Sequence, residues 1–138
     1  MSQKNLGIIG GGQLGSMLSS AAKKLNLKTT VYCDDNDAPA QNFCDEFIFG
    51  GYEDKEKILE FVKKVDVITY EFENIPFETL NEMNKLKSVL PKPSVNRLIQ
   101  HRLAEKDFIN KLNIRTTRYV GIEKKSDLNK LENKMKGI

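Results

Sequence analysis

The chain has 138 residues, with 22 Lys plus Arg and 19 Asp plus Glu, so its formal net charge is +3. Its 39% of hydrophobic residues can build a core, which excludes global disorder, and the mild charge argues against nucleic acid as a partner. No apolar run reaches the roughly 20 residues of a membrane helix. Two cysteines and one histidine exclude a disulfide scaffold and argue against a zinc site of Cys and His ligands. We therefore expect a soluble, cytoplasmic protein.

Short apolar runs alternate along the chain with segments whose apolar residues recur every three or four positions. The runs predict strands at 6–9, 29–33, 47–49, 65–70, 88–90 and 116–120. The periodic segments predict helices around 14–25, 58–62, 77–86, 95–112 (a long helix capped by Ser94) and 128–135. The first helix has one apolar face, made of Leu14, Met17, Leu18, Ala21, Ala22 and Leu25. This alternation predicts an α/β fold, with a Rossmann-like parallel sheet and flanking helices.

A glycine motif stands between the first predicted strand and helix. Gly10, Gly12 and Gly15 fit G-x-G-x-x-G, in which the free N–H groups of a helix N-terminus suit a phosphate. Three interpretations remain open: a tight turn that binds nothing, a site for one phosphorylated small molecule, or a dinucleotide site. In the last, Asp34 or Asp35 would hold a ribose hydroxyl.

An acidic segment follows the predicted strand at 65–70. Glu71 and Glu73 are two residues apart and share one face of an extended chain. Ligands of parallel sheets bind beyond the carboxyl ends of the strands, where such carboxylates can accept hydrogen bonds from ribose hydroxyls or an amine. The alternative is a solvated loop. We expect the glycine-loop amides and an acid two strands away to hold opposite ends of one sugar phosphate.

Four segments in order carry a family resemblance: GIIGGGQLG (7–15), DAPA (37–40), VITYEFENIP (67–76) and HRLAEK (101–106). Together they resemble the 5-(carboxyamino)imidazole ribonucleotide synthase family of the ATP-grasp superfamily, over about residues 6–119. The resemblance implies a Rossmann-like pre-ATP-grasp domain at 1–112 and the truncated start of a central ATP-grasp domain at 113–138. It implies a carbon–nitrogen ligase of de novo purine biosynthesis that uses ATP, magnesium and bicarbonate to carboxylate 5-aminoimidazole ribonucleotide, commonly as a homodimer.

The same resemblance assigns residues to ligands but leaves the catalytic residues unassigned. The ribonucleotide-binding set is Gly12, Gln13, Leu14, Glu71, Glu73 and Asn74, and the ATP-binding set is Arg102 and Lys106. Two positions depart from the family pattern: Ser16 replaces a basic residue, and Arg115 lies in a turn that usually holds proline. We expect the chain to be the first part of a longer enzyme, inactive by itself and without a tightly bound cofactor.

Two other function classes compete with this hypothesis. The glycine motif with Asp34 or Asp35 would suit an NAD(P)-binding module of a dehydrogenase or a regulatory protein. A non-catalytic α/β partner domain would bind neither a ribonucleotide nor a dinucleotide.

Overall fold

The computed structural model of the protein describes residues 3–128, and it divides the chain into two compact units. The first unit is Met1–Gln100 and the second is His101–Ile138. This division falls after Gln100, which is earlier in the chain than position 112, where the first domain was expected to end. Within residues 3–128, no helix combines the length and the apolar character needed to cross a membrane.

The first unit is built on four parallel strands. They are β1 (Asn5–Ile9), β2 (Lys28–Cys33), β3 (Glu46–Phe49) and β4 (Val67–Tyr70), in the order β3-β2-β1-β4. Central β1 pairs with β2 on one side and β4 on the other, so Ile9 lies opposite both Tyr32 and Tyr70. The parallel sheet predicted from the alternating pattern is confirmed. The acid after β4 is, however, next to the glycine loop after β1 and not two strands away, because β4 pairs directly with β1.

Helices connect and flank these strands. In the first unit they are α1 (Gln13–Lys24), α2 (Lys55–Lys64), α3 (Phe77–Leu86) and α4 (Pro93–Ile99), with a short 3-10 helix at Pro39–Asn42. Asp54 caps α2, since its side chain accepts a hydrogen bond of 3.0 Å from the Lys57 amide.

The sheet separates two apolar clusters. Ile8 and Ile9 are neighbours on β1 and point to opposite faces, so they belong to different clusters. The larger cluster contains Ile9, Tyr32, Ile48, Phe61, Val62, Val65, Ile68, Ile75, Leu80, Met83 and Val89. The smaller one contains Ile8, Val31, Cys33, Ala38 and Ala40. Cys33, Ala38 and Ala40 have small side chains, so the element that covers this face can approach it closely.

The buried face of α1 differs from the predicted apolar face. The residues it buries are Gly15, Ser16, Ser19 and Ala22, whereas Leu14 and Met17 are 55% and 59% exposed. Glycine and serine allow the helix to approach the sheet closely, and a Cβ on Gly15 would collide with the carbonyl oxygen of Gly10. The Ser16 and Ser19 hydroxyls donate to the carbonyls four residues earlier, at 3.0 and 2.9 Å, so their burial leaves no donor unpaired.

Two predictions near the end of the first unit were wrong in detail. Residues 88–90 contribute only a bridge between Val89 and Ile68, because prolines at 91 and 93 remove ladder donors. The long helix starts at Pro93 and not after a Ser94 cap, and it ends at Ile99.

The second unit starts where that long helix was predicted to continue. His101 has extended backbone angles (φ −106°, ψ 99°) and caps a separate helix, α5 (Arg102–Lys111), through its Nδ1. The unit also has a 3-10 helix at Lys125–Leu128.

The strand predicted at 116–120 is not formed. Its polar side chains bond instead to α5: Thr116 accepts from Asn110 at 2.9 Å, and the Tyr119 hydroxyl donates to Asp107 at 2.6 Å. These local bonds satisfy side chains that a strand would have presented to a neighbour. Most of the predicted last helix, with Leu131 and Met135, lies outside the described residues.

Candidate functional site

The glycine loop joins β1 to α1 at the carboxyl edge of the sheet. Gly10 has a φ of +107°, which favours glycine, and its N–H donates to the Tyr32 carbonyl at 2.9 Å. The Gly11 carbonyl accepts from the Ala40 amide at 2.9 Å. Gly12 is the N-cap of α1 and has no side chain with which to cap it. The amides of the first helical turn therefore face the crevice without an intrahelical acceptor.

Glu71 brings the end of β4 to this loop. Its backbone N–H donates to the Ile9 carbonyl at 3.2 Å, which extends the β1–β4 pairing by one residue. Its carboxylate lies beside Gly12, with Oε1 3.5 Å from the position that a Cβ on Gly12 would occupy. Glu71 Oε1 lies only 2.6 Å from the position that a Cβ on Gly10 would occupy. A glycine at position 10 is thus what makes room for this carboxylate.

The surroundings of Glu71 change its acidity. Partial burial raises the pKa of the Glu71 carboxyl above its usual range, and the negative charge of Glu73 raises it further. The Gly12 N–H acts in the opposite direction, because it stabilises the ionised form. Glu71 is consequently a half-buried acceptor that benefits from a hydrogen-bond donor on a ligand.

This arrangement determines what the glycine loop can bind. A pyrophosphate on the Gly12 amide would compete with the Glu71 carboxylate for one donor and place two anions side by side. Hydroxyl or amine groups of a ligand would instead find an acceptor there. The geometry favours a ligand with N–H or O–H groups at this point and disfavours the dinucleotide interpretation.

The other predicted ribonucleotide-binding residues follow Gly12 or Glu71 in the chain. Gln13 is the first residue of α1 and is exposed, and Leu14 follows it. Glu73 and Asn74 are exposed in the turn between β4 and α3. The structure therefore brings Gly12 and Glu71 into contact, with Gln13 and Leu14 directly after the first of them.

The positions of the two acids at the end of β2 give little support for a ribose-binding role. Asp34 and Asp35 are both exposed, and Asp35 Oδ1 is occupied by a 2.9 Å hydrogen bond from the Asp37 amide. Such a bond is typical of an Asx turn and stabilises the loop itself.

Tyr52 was not among the predicted site residues, and it lies within electrostatic reach of two acids that follow strand ends. Burial raises the pKa of the Tyr52 hydroxyl above its usual range, and the charges of Asp34 and Glu71 contribute in the same direction. Thr79 Oγ1 donates to the Tyr52 carbonyl at 2.7 Å and fixes its backbone. Tyr52 follows the glycines after β3, so the rule that ligands bind after strand ends would have identified it.

The second unit brings both predicted ATP-binding residues to one cavity. A cavity of about 330 Å³ is lined by Arg102 and Lys106, one turn apart on α5, with Tyr119 and Gly121 among the opposite wall. Arg102 pairs with Glu105, and Lys106 Nζ donates to Thr117 Oγ1 at 3.0 Å. The prediction that Arg102 and Lys106 share a helix face is confirmed, while their role stays a prediction.

The described part of the chain contains no cluster of three or more His, Cys, Asp or Glu side chains that could hold a metal ion. Cys33 and Cys44 are free thiols, and burial raises the pKa of both.

The family described as the ribonucleotide synthetase pre-ATP-grasp domain matches residues 3–100. The chain belongs to this family. The match ends where the first compact unit ends, so the pre-ATP-grasp domain and that unit coincide.

Relatives of this pre-ATP-grasp chain include a purine synthesis protein and a ribonucleotide synthase, as their names state. It is 38% identical over 123 residues to the bifunctional purine synthesis protein purC/E of Dictyostelium discoideum, covering 89% of this chain and 12% of that protein. It is 36% identical over 130 residues to the N5-carboxyaminoimidazole ribonucleotide synthase of Staphylococcus haemolyticus, covering 94% of this chain and 35% of that protein.

Solved structures of the same kind share the fold. The Staphylococcus aureus N5-carboxyaminoimidazole synthetase complexed with ADP has a TM-score of 0.87 and 31% identity, covering 95% of this chain and 35% of that one. The Aspergillus clavatus N5-carboxyaminoimidazole synthase in complex with ADP and 5-aminoimidazole ribonucleotide has a TM-score of 0.81 and 27% identity, covering 98% and 37%. The pre-ATP-grasp chain thus spans about a third of the length of these enzymes.

Proposed function

We propose that this pre-ATP-grasp chain is the N-terminal, ribonucleotide-binding part of an ATP-dependent ligase that carboxylates 5-aminoimidazole ribonucleotide with bicarbonate. The family membership and the coverage of about a third of the N5-carboxyaminoimidazole ribonucleotide synthases support this proposal. The Aspergillus clavatus relative was crystallised with that ribonucleotide and ADP.

One observation supports the substrate site most directly: the Glu71 carboxylate stands against Gly10 and Gly12 at the carboxyl edge of the sheet. We assign Gly12, Gln13, Leu14, Glu71, Glu73 and Asn74 to the ribonucleotide site. Glu71 would accept hydrogen bonds from the ribose hydroxyls or the amine of the ligand.

The chemistry of carboxylation fits an acceptor at this position. The exocyclic amine must be neutral to act as a nucleophile, and it must be held beside the carboxyl donor. A half-buried carboxylate that accepts a hydrogen bond from the ligand fixes its orientation without donating a proton to the amine. Positioning of this kind, and exclusion of water around Glu71, is what this chain would contribute to the reaction.

ATP and magnesium would be shared with the rest of the enzyme. The cavity of the second unit fits a phosphate-bearing ligand in its donor set, because Arg102 and Lys106 both line it. No described cluster fits magnesium, so its carboxylates would come from elsewhere in a complete ligase. We place residues 113–138 at the start of the central ATP-grasp domain, and we expect the intact enzyme to be a cytoplasmic homodimer.

Calorimetric titration of the 138-residue chain with 5-aminoimidazole ribonucleotide tests the proposal. We expect saturable binding that Glu71→Gln weakens about tenfold or more, since a charge-assisted hydrogen bond is lost. Glu78→Gln is the matched control, because Glu78 is an exposed acid on α3. It should leave the affinity unchanged.

The same titration with NAD and NADP separates the competing hypothesis. No binding is expected, because the Glu71 carboxylate faces the amides that a pyrophosphate would use. Micromolar binding of either dinucleotide, together with no response to the ribonucleotide, would overturn the proposed function.

A further inference from the structure

We propose that Asn96 and Gln100 are positioning residues, which hold the loop 71–75 so that Glu71 faces the glycine loop. This inference deepens the proposed function, since it rests on Glu71 being a ribonucleotide ligand. Neither residue belongs to a motif that the sequence made visible.

Side-chain amides from the α4 region reach the backbone of the acidic loop. Asn96 Nδ2 donates to the Ile75 carbonyl at 3.1 Å. Gln100 Nε2 donates to the same carbonyl at 2.7 Å and to the Glu73 carbonyl at 2.6 Å. The two residues are four apart, so they lie one helical turn from each other on the same face. Ile75 thereby uses both lone pairs of its carbonyl oxygen.

These hydrogen bonds fix the residues after Glu71, which the β1–β4 pairing does not reach. The last backbone bond of the β1–β4 pairing is from Glu71 to Ile9. α3 begins only at Phe77, and its N-cap is Pro76. Between these points the Glu73 and Ile75 carbonyls accept their bonds from Asn96 and Gln100. The Glu71 carboxylate lies against Gly10 and Gly12.

The buried environment of Asn96 indicates that this residue orients the loop 71–75 more than it stabilises the fold. Asn96 is 0% exposed, yet its Oδ1 has no hydrogen-bond partner among the described residues, and neither has the Tyr70 hydroxyl. A buried acceptor without a donor costs free energy that an apolar residue would avoid. What Asn96 supplies in return is the donor to Ile75, beside the strand end that carries Glu71.

Contacts of α4 with its surroundings hold this helix in position, so that it can support the loop 71–75. Pro93 and Asn96 are its buried residues, and the Arg97 guanidinium lies 4.9 Å from the centre of the Phe77 ring. Phe77 is the first residue of α3. α4 therefore contacts both the loop and the helix that the loop enters.

The test uses the ionisation of Glu71 as a readout that needs no ligand. In Gln100→Ala the loop loses two hydrogen bonds, so the Glu71 carboxyl becomes more solvated and its raised pKa should move down toward the ordinary value. Carbon-detected NMR titration of the side-chain carboxyl measures this shift. Ribonucleotide affinity, by calorimetry, should fall about fivefold. Gln100→Met, which keeps the approximate length but removes the donor and adds no charge, should act in the same direction.

Gln3→Ala is the matched control. Gln3 Nε2 also donates to a backbone carbonyl, that of Asn26, at 3.0 Å, but it precedes β1 at the opposite edge of the sheet. Both Gln variants lose a side-chain donor, and only Gln100→Ala should move the Glu71 titration and the affinity.

The possible outcomes separate the two proposals. A shifted Glu71 titration in a chain that never binds the ribonucleotide would support the positioning role and contradict the proposed function. An unchanged titration in both Gln100 variants and in Asn96→Ser, with the fold intact, would overturn the positioning role whatever the ligand affinity.

Discussion

The Glu71 carboxylate lies beside Gly12, which brings the end of β4 to the N-terminus of α1. The two residues are far apart in sequence and meet because β4 pairs with β1. An anion at a helix N-terminus is stabilised by the helix dipole, so this contact suits both partners. It also means that the protein itself provides the first anion at its glycine loop.

Gly10→Ala should disrupt this contact and destabilise the fold. The new Cβ would meet Glu71 Oε1 at 2.6 Å, on a backbone with a φ of +107°. We expect a loss of about 1–3 kcal/mol in the free energy of unfolding, measured by urea denaturation. Gly51→Ala is the control, because nothing lies within 4 Å of its Cβ position and its φ is not positive. Equal effects of the two substitutions would contradict the crowding at Gly10.

Glu71→Gln should stabilise the isolated chain at neutral pH. The folded-state pKa of Glu71 is raised, so the folded protein binds its proton more tightly than the unfolded chain. Stability therefore falls as the pH rises from the ordinary glutamate value of about 4.3 through the folded-state value. The glutamine variant avoids this loss, so its urea midpoint should exceed that of the wild type at pH 7.

The advantage of the glutamine variant should shrink as the pH falls well below about 4.3, where the wild-type carboxyl becomes protonated in both states. A variant that is less stable than the wild type at pH 7 would show that the favourable effect of the Gly12 N–H outweighs the burial of the carboxylate. Higher stability combined with weaker ribonucleotide binding is the pattern expected of a residue retained for function.

Phe61→Ala should cost about 3–5 kcal/mol, as is usual for a fully buried aromatic residue. Phe61 is 0% exposed, and its ring centre lies 5.5 Å from that of Tyr32. Its ring also fills the space over Gly7, where a Cβ would lie 2.7 Å from Phe61 Cζ. Phe49→Ala is the matched control, since Phe49 is 51% exposed at the end of edge strand β3. Thermal and urea unfolding of both variants measures the two losses of stability. Similar losses in Phe61→Ala and Phe49→Ala would contradict a central role for Phe61 in the core.

The sequence predicted most strands of the first unit because buried parallel strands leave short apolar runs that need no knowledge of their neighbours. It could not give the adjacency of Glu71 and Gly12, which follows from strand order. The face of α1 was also misjudged, since Ser16 and Ser19 look polar until their hydroxyls are seen bonded to their own helix. Asn96 has no local signal, because its partner is a carbonyl 21 positions away.

Asp66 should respond to pH in the opposite sense to Glu71. Its Oδ2 accepts from the Asn5 amide at 2.8 Å, and Lys4 Nζ lies 3.4 Å from its Oδ1. The Asn5 hydrogen bond, together with the Lys4 charge, lowers the pKa of the Asp66 carboxyl. The stability it contributes is present above the ordinary aspartate value of about 3.9 and is lost as the pH falls through the folded-state value.

Asp66→Asn keeps an oxygen for the Asn5 amide but removes the charge. We expect its urea midpoint to lie below that of the wild type at pH 6, with the difference disappearing under acid conditions as the wild-type carboxyl becomes protonated. Asp37→Asn, at an exposed position after β2, is the matched control and should follow the wild type at every pH. A constant difference between Asp66→Asn and the wild type from pH 6 down to about 3 would mean that geometry, and not charge, links Asp66 to the start of β1.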